Sequence, residues 1–315
     1  MRGFLSILCI ILILILPTLI PVSSGLFNEK PTLKIAIIRQ EWDFFDKSST
    51  SVLSTLLHKL RLKHGAQKYD VRVRIYEFWD GWDGGDVQRG LLLRKDIDLV
   101  IAPGGVGGWH TPLLYRIQLR RFVRKGGGFY GICGDSTFGS LGVEKLNWRY
   151  NTLMSKLLGF SELSPMLGLA NVYTDASALR SIIQNPRFFT GLDMIQFITK
   201  LPLSRGRIHF NKNTLPIQQP YMGSSMRMML GNAPLVDGPL VNNLFMSKVH
   251  TIASFRRPDE PYDSNIKYKK AIIATTYHKG RVVLSPIHAE FTVGNLRAQD
   301  IYFRNVLWLA DELNT

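Results

Sequence analysis

Cysteine is nearly absent from this sequence of 315 residues, which contains only Cys9 and Cys133. Cys9 lies inside an apolar N-terminal segment, so the rest of the chain carries one thiol and cannot form an internal disulfide. Zinc sites built from thiolates need several cysteines, and that pattern is missing. We therefore expect no metal site, and nothing in the sequence requires a cofactor.

Acidic residues are also scarce, with 24 Asp and Glu against 39 Lys and Arg, and the net charge is +15. The basic residues are spread along the chain and form no long run. The sequence has no recognisable nucleic-acid motif, repeat or low-complexity tract. This pattern predicts a solvated basic surface, suited to the neighbourhood of anionic lipid, and favours it over nucleic-acid binding.

A long apolar run occurs at residues 4–22, with Arg2 in front of it. Its length lies between that of a signal-peptide core and that of a membrane span. Residues 1–24 are thus either a signal peptide or an apolar helix that anchors the chain in a membrane. In both cases the positive N-terminus favours staying inside, so we expect a protein that is membrane-anchored and facing outside, or secreted.

Residues 31–315 read as one domain in which strands and helices alternate. Apolar runs predict strands at residues 31–39, 71–78, 97–102 and 128–132, and helical spacing predicts helices at residues 48–63 and 111–125. This order favours a parallel α/β sheet. A hairpin over 271–276 and 281–285 and a closing helix over 298–313 follow a stretch, 151–259, with no clear pattern.

Cys133 lies where the predicted strand 128–132 gives way to a small-residue, helix-like run. Gly131 and Gly134 flank it and allow a sharp strand-to-helix turn, which would lift the side chain above the sheet. The helix N-terminus would favour the thiolate form. This is the setting of a nucleophile, and the alternative is a buried cysteine in a glycine-rich helix start.

Two further segments carry chemistry at strand ends. His288 follows the predicted strand 281–285, and Glu290 stands two residues further on. They are candidates for a base that activates the thiol and a carboxylate that orients it, the alternative being an unrelated surface pair. Gly105 lies in a glycine-rich loop after strand 97–102, where backbone N–H groups could hold an oxyanion together with Gly134. His110, at the end of that loop, is a candidate substrate contact, and the alternative reading is a plain flexible loop.

These segments together resemble the class I glutamine amidotransferase-like superfamily, and most closely the amidotransferase-like domain at the N-terminus of some biotin–protein ligases. The likeness rests on residues 103–105, 127–134 and 280–290 and extends diffusely over residues 33–309. It implies a flavodoxin-like three-layer sandwich with a mostly parallel central sheet. It also implies that Cys133 is the nucleophile, His288 the base, Glu290 its orienter, and Gly105 and Gly134 the oxyanion donors.

Asp135 departs from the superfamily pattern, which usually has glycine two residues after the cysteine. A carboxylate there opposes a nearby thiolate, but it could also contact substrate or cap the helix. Two hypotheses follow. The first is a cysteine hydrolase acting on a small-molecule or peptide amide or a related acyl bond. The second is a non-catalytic relative that binds a small ligand or a protein partner at the cell surface.

Overall fold

The computed structural model describes residues 32–41, 57, 61–64, 67–105, 111–144, 166–178, 204–212, 215–258, 266–292 and 295–311. The leader at residues 1–24 and the loop residue His110 lie outside this set. Among the described residues, no helix combines the length and the apolar character needed to cross a bilayer.

The described residues form strands and helices in the following order along the chain. The strands are β1 Thr32–Gln40, β2 Arg61–His64, β3 Gln67–Asp70, β4 Arg72–Gly81, β5 Gly84–Gly85, β6 Leu99–Ala102, β7 Gly128–Ile132, β8 Val172–Thr174, β9 Ser204–Phe210, β10 Ser225–Leu230, β11 Leu235–Asp237, β12 His250–Pro258, β13 Lys270–Tyr277, β14 Gly280–Ser285 and β15 Ile287–His288. The helices are α1 Leu91–Arg94, α2 Leu113–Arg124, α3 Gly134–Gly139 and α4 Leu296–Leu309, with 3₁₀ turns at Pro216–Tyr221 and Leu240–Leu244.

Five parallel strands in the order β4-β1-β6-β7-β14 form the half of the sheet predicted from the sequence. The apolar runs of β1, β6 and β7 are buried on both faces, as expected of strands inside a parallel sheet, whereas β4 is exposed or half-buried over most of its length. The strands predicted at 31–39, 71–78, 97–102 and 128–132 are confirmed as β1, β4, β6 and β7, with ends that differ by up to three residues.

The rest of the sheet is antiparallel, so the prediction of a mostly parallel sheet is wrong. The predicted hairpin is present as β13 and β14, and its tight turn at His278 and Lys279 reverses the chain direction. Such a turn can join only antiparallel neighbours. From β13 the sheet continues through β12, β9, β10 and β15, each antiparallel to the one before, which gives a mixed sheet.

Helices cover both faces of the parallel half and make it a three-layer sandwich. Alternate side chains of β1 enter opposite cores: Ile35 packs with residues of α4, and Ala36 packs with residues of α2. Helix α4 begins where the Asn295 side chain accepts the N–H groups of Arg297 and Ala298. Most of the helix predicted over 48–63 lies outside the described residues, and its last positions are wrong because Arg61–His64 is a strand.

The carboxyl ends of β6, β7 and β14 meet at one edge of the sheet because these neighbours are parallel and in register. The glycine loop leaves β6, Cys133 follows β7, and the turn that leads to His288 follows β14. Ligand sites in open α/β sheets lie outside such strand ends. The fold therefore brings all three sequence segments to one place.

Candidate active site

Cys133 occupies a strained elbow between β7 and α3. Its backbone has φ 53° and ψ −123°, which a non-glycine residue adopts only at a cost of about 1–3 kcal/mol. The turn also needs glycine at position 131, since a Cβ there would lie 2.5 Å from the carbonyl oxygen of Asp135. The side chain is half-buried at the N-terminal end of α3.

Four hydrogen bonds hold this conformation. The Cys133 N–H donates to the carbonyl of Ser285 at 2.8 Å, which ties the elbow to the end of β14. The Cys133 carbonyl accepts from the Ser136 N–H at 3.0 Å and from the Ser136 hydroxyl at 2.5 Å. It also accepts from the Asn232 side-chain amide at 2.9 Å. Strained backbone persists where neighbours over-determine it, and here they come from three separate segments.

His288 connects the thiol to Glu290. Its Nδ1 lies 2.6 Å from Oε1 of Glu290, and the two side chains are 7% and 0% exposed. The imidazole also forms a side-chain hydrogen bond with Cys133. Since Nδ1 is engaged by the carboxylate, Nε2 is the ring nitrogen left for the sulfur. The three residues chosen from the sequence are thus in contact in the order thiol, imidazole, carboxylate.

The charges of this cluster favour the imidazolium form. Burial by itself lowers the pKa of His288, but the negative charges of Cys133 and Glu290 and the hydrogen bonds to both outweigh it and raise the pKa to about 10. A histidine that contacts a thiol on one side and a carboxylate on the other can exchange a proton with the sulfur while the carboxylate fixes the orientation of its ring.

Gly231 and Asn232 complete the site and were missed by the sequence reasoning. The carbonyl of Gly231 accepts from the Cys133 Sγ at 3.2 Å, and both N–H groups donate to the carbonyl of Pro286, before His288. A Cβ on Gly231 would lie 2.5 Å from Nε2 of His288 and 2.8 Å from Sγ of Cys133. The Gly-Asn pair reads as a turn in the sequence, but nothing local links it to a cysteine 98 positions earlier.

The glycine loop approaches Cys133 from the opposite side. Gly104 and Gly105 have φ of 110° and 136°, and a Cβ on Gly104 would lie 2.7 Å from the Cβ of Cys133. Asp135 is buried, and its Oδ2 accepts the Gly104 N–H at 3.0 Å. Asp135 therefore links the first turn of α3 to this loop. As the first residue of α3, Gly134 has an N–H group without an intrahelical acceptor.

A buried polar layer lies behind Glu290. Asn305 of α4 donates to the Tyr130 hydroxyl at 2.8 Å, and Tyr130 forms a further hydrogen bond with the Ser285 side chain. Burial, followed by the nearby charge of Glu290, raises the pKa of both Tyr130 and Tyr302. These hydroxyls remain protonated at neutral pH, so they add no charge beside Glu290, whose cationic partner among the described residues is His288.

Comparison with known proteins gives likeness in structure only. No protein-family model and no curated protein matches the chain. Among solved structures, PurLQS from Thermotoga maritima aligns over 89% of this chain and 99% of its own, with TM-score 0.47 and 12% identity. A ThuA-like protein from Bacteroides uniformis aligns over 89% and 92%, with TM-score 0.48 and 11% identity. Both are class I glutamine amidotransferase-like folds. The relation to biotin–protein ligases stays a prediction.

Proposed function

We propose that this chain is a cysteine-dependent hydrolase of the class I glutamine amidotransferase-like superfamily, cleaving an amide or a related acyl bond. The observation that carries the proposal is the contact of His288 with both Cys133 and Glu290. The strained elbow adds to it, because conformational strain of this kind collects at functional sites.

In the first half of the reaction, the Cys133 sulfur attacks the acyl carbon of the substrate and forms a tetrahedral intermediate. The negative charge moves to the former carbonyl oxygen, where the N–H groups of Gly105 and Gly134 would hold it. His288 then gives the proton on Nε2 to the leaving nitrogen, the C–N bond breaks, and an acyl thioester remains on Cys133. Glu290 keeps the imidazole oriented throughout.

In the second half, water replaces the leaving amine. His288, now neutral, removes a proton from the water as it attacks the thioester carbon. The resulting tetrahedral intermediate collapses, the C–S bond breaks, and the carboxylic acid leaves. The thiolate and the imidazolium are thereby restored, so the cycle needs no cofactor.

A second candidate function is ligand binding without turnover, and the Asp135 contact favours it. A carboxylate oxygen of Asp135 accepts the hydrogen bond from the Gly104 N–H. The carboxylate also places a negative charge in the lining of the site, beside the thiol. This negative charge opposes a developing oxyanion. The same fold would then bind a small ligand or a protein partner at the edge of the sheet.

We further propose that residues 1–24 direct the domain across a membrane and either leave it secreted or anchor it on the outer side. The support is the apolar run at residues 4–22 and the positive charge of Arg2 in front of it. Protease protection in sealed vesicles tests this, since an outward-facing domain is cleaved without detergent and an inward-facing one only after its addition.

The test of the hydrolase has two parts. We expect iodoacetamide to alkylate Cys133 in the wild type, and His288→Ala to lose most of that reactivity. With a panel of acyl p-nitroanilides and p-nitrophenyl esters, we expect a burst of p-nitroaniline or p-nitrophenol equal to one equivalent of enzyme. Intact-protein mass spectrometry should show an acyl adduct on Cys133. If His288→Ala leaves the alkylation rate unchanged and no panel member forms an adduct, the hydrolase proposal is wrong. Ligand binding without turnover is then the function that remains.

A further inference from the structure

An ordered segment of the domain presents large apolar side chains to solvent. Leu240, Leu244 and Phe245 are 84%, 77% and 68% exposed, and Val241 is also exposed. Two hydrogen bonds from a neighbouring loop fix the backbone of this segment. The side-chain amide of Asn171 donates to the Pro239 carbonyl at 3.1 Å and to Asn243 Oδ1 at 2.7 Å. A fixed backbone that displays clustered apolar side chains is typical of an interaction surface. We call residues 240–245 the apolar ledge.

The ledge leads to the end of the sheet opposite Cys133. Just after it, the Thr276 hydroxyl donates to the Ser247 hydroxyl at 2.8 Å, and the Thr275 hydroxyl donates to the Lys248 carbonyl at 2.9 Å. These threonines precede the β13–β14 turn, which lies at the amino ends of the parallel strands. Strand β1 starts at Thr32 at this same end, so the chain enters the domain there.

Positive charge dominates this end of the domain. Lys248 is exposed beside the ledge, Lys279 in the β13–β14 turn, and Arg124 and Lys125 at the end of α2. Among the described residues, the acidic groups at this end and beside the ledge are Asp96 and Asp98, which are exposed and keep their charge, and two that are paired with cations: Asp311 with Arg281 and Asp237 with Lys270. The cations outnumber the acidic groups that remain to balance them.

We propose that the apolar ledge inserts into the head-group region of an anionic bilayer. The basic side chains at this end would then contact the lipid phosphates: Lys248, Lys279, Arg124 and Lys125. Surfaces that bind at the membrane interface typically combine leucine, valine or phenylalanine with neighbouring basic residues. Strand β1 begins at this end with Thr32, which follows the apolar run at residues 4–22 in the sequence with nine residues between them. The contact would hold the site edge of the sheet away from the lipid. It does not depend on the activity proposed above.

The test uses the full chain reconstituted in vesicles that contain a carbene photolabel within the bilayer. Vesicles of phosphatidylcholine with about 30% phosphatidylglycerol are compared with pure phosphatidylcholine, and peptides are read by mass spectrometry. We expect adducts in residues 240–245 in the anionic vesicles, and roughly tenfold fewer after Leu244→Ser with Phe245→Ser or at high salt. The matched control is Leu113→Ser with Leu114→Ser, which removes two exposed leucines at the start of α2, at the site edge, and should change nothing.

Two results would overturn the proposal. Equal labelling of the ledge in neutral and anionic vesicles shows that charge has no part in the contact. Protection of residues 240–249 from hydrogen exchange that grows with protein concentration in the absence of lipid identifies a protein surface, with a second copy of the chain as its partner.

Discussion

Replacing Gly231 by alanine is expected to disable the site with one methyl group. Gly231 faces the gap between the thiol and the imidazole, and its carbonyl accepts from Sγ of Cys133. The added Cβ would lie 2.5 Å from Nε2 of His288 and 2.8 Å from Sγ. Neither atom is the end of a flexible chain, because His288 is fixed through Glu290 and Cys133 through its strained backbone.

The size of the effect follows from these distances. Ordinary van der Waals contact begins near 3.4 Å and the nearest ring atom, Cδ2 of His288, would lie at 2.4 Å, so the imidazole must move away by about 1 Å to make room. A misplacement of about 1 Å at a catalytic group costs roughly a hundredfold in rate. Overpacking a filled site also destabilises the fold by about 1–3 kcal/mol, which leaves the variant folded at ordinary stability.

The assay is the rate constant for alkylation of Cys133 by iodoacetamide, with p-nitroanilide turnover as the second readout. Gly81→Ala is the matched control, since its Cβ would lie 2.7 Å from Oε2 of Glu41, the end of a flexible side chain. Gly81 belongs to β4, three strands from β7. A Gly231→Ala protein that keeps its circular dichroism spectrum and alkylates at the wild-type rate would refute the contact geometry on which the site is built.

Three further substitutions separate the roles of the neighbouring groups. Glu290→Gln removes the carboxylate charge that helps to raise the pKa of His288, so turnover should fall roughly 10²–10⁴-fold with little change in KM, measured by steady-state kinetics. Asn232→Ala removes a buried donor to the Cys133 carbonyl and should lower the free energy of unfolding in urea by about 1–3 kcal/mol. Asp135→Asn removes a negative charge from the site wall, so alkylation by the anion iodoacetate should accelerate relative to neutral iodoacetamide, and an unchanged ratio would contradict the placement of that charge.

The parts of the site that the sequence predicted are those with a strong local pattern. A buried strand running into Gly131, Cys133 and Gly134 allows either an elbow or a buried cysteine, and the glycine loop and the His288–Glu290 segment favoured the elbow. His288 and Glu290 stand two residues apart after a strand, and their 2.6 Å contact agrees with that reading. In each case the chemistry follows from neighbours in the chain.

The parts that the sequence did not predict depend on distant segments. Gly231 and Asn232 reach Cys133 only because β10 pairs with β15, and that pairing has no local signal. The antiparallel half of the sheet was missed for the same reason: β9, β10 and β12 come from a stretch whose glycines and prolines hide the strand pattern. The contact of Asp135 with Gly104 was also unforeseen, since it joins the first turn of α3 to a loop 31 positions earlier.

The central claim is that His288 contacts both Cys133 and Glu290, and the titration of His288 tests this most directly. Proton–nitrogen NMR of the imidazole in the wild type should give a pKa of about 10, above the ordinary 6.5, so the ring stays charged at neutral pH and loses its proton as the pH rises through about 10. Cys133→Ala removes one of the two groups that raise the pKa of His288 and should move that pKa back toward 6.5. A wild-type value near 6.5 that Cys133→Ala leaves unchanged would contradict the triad.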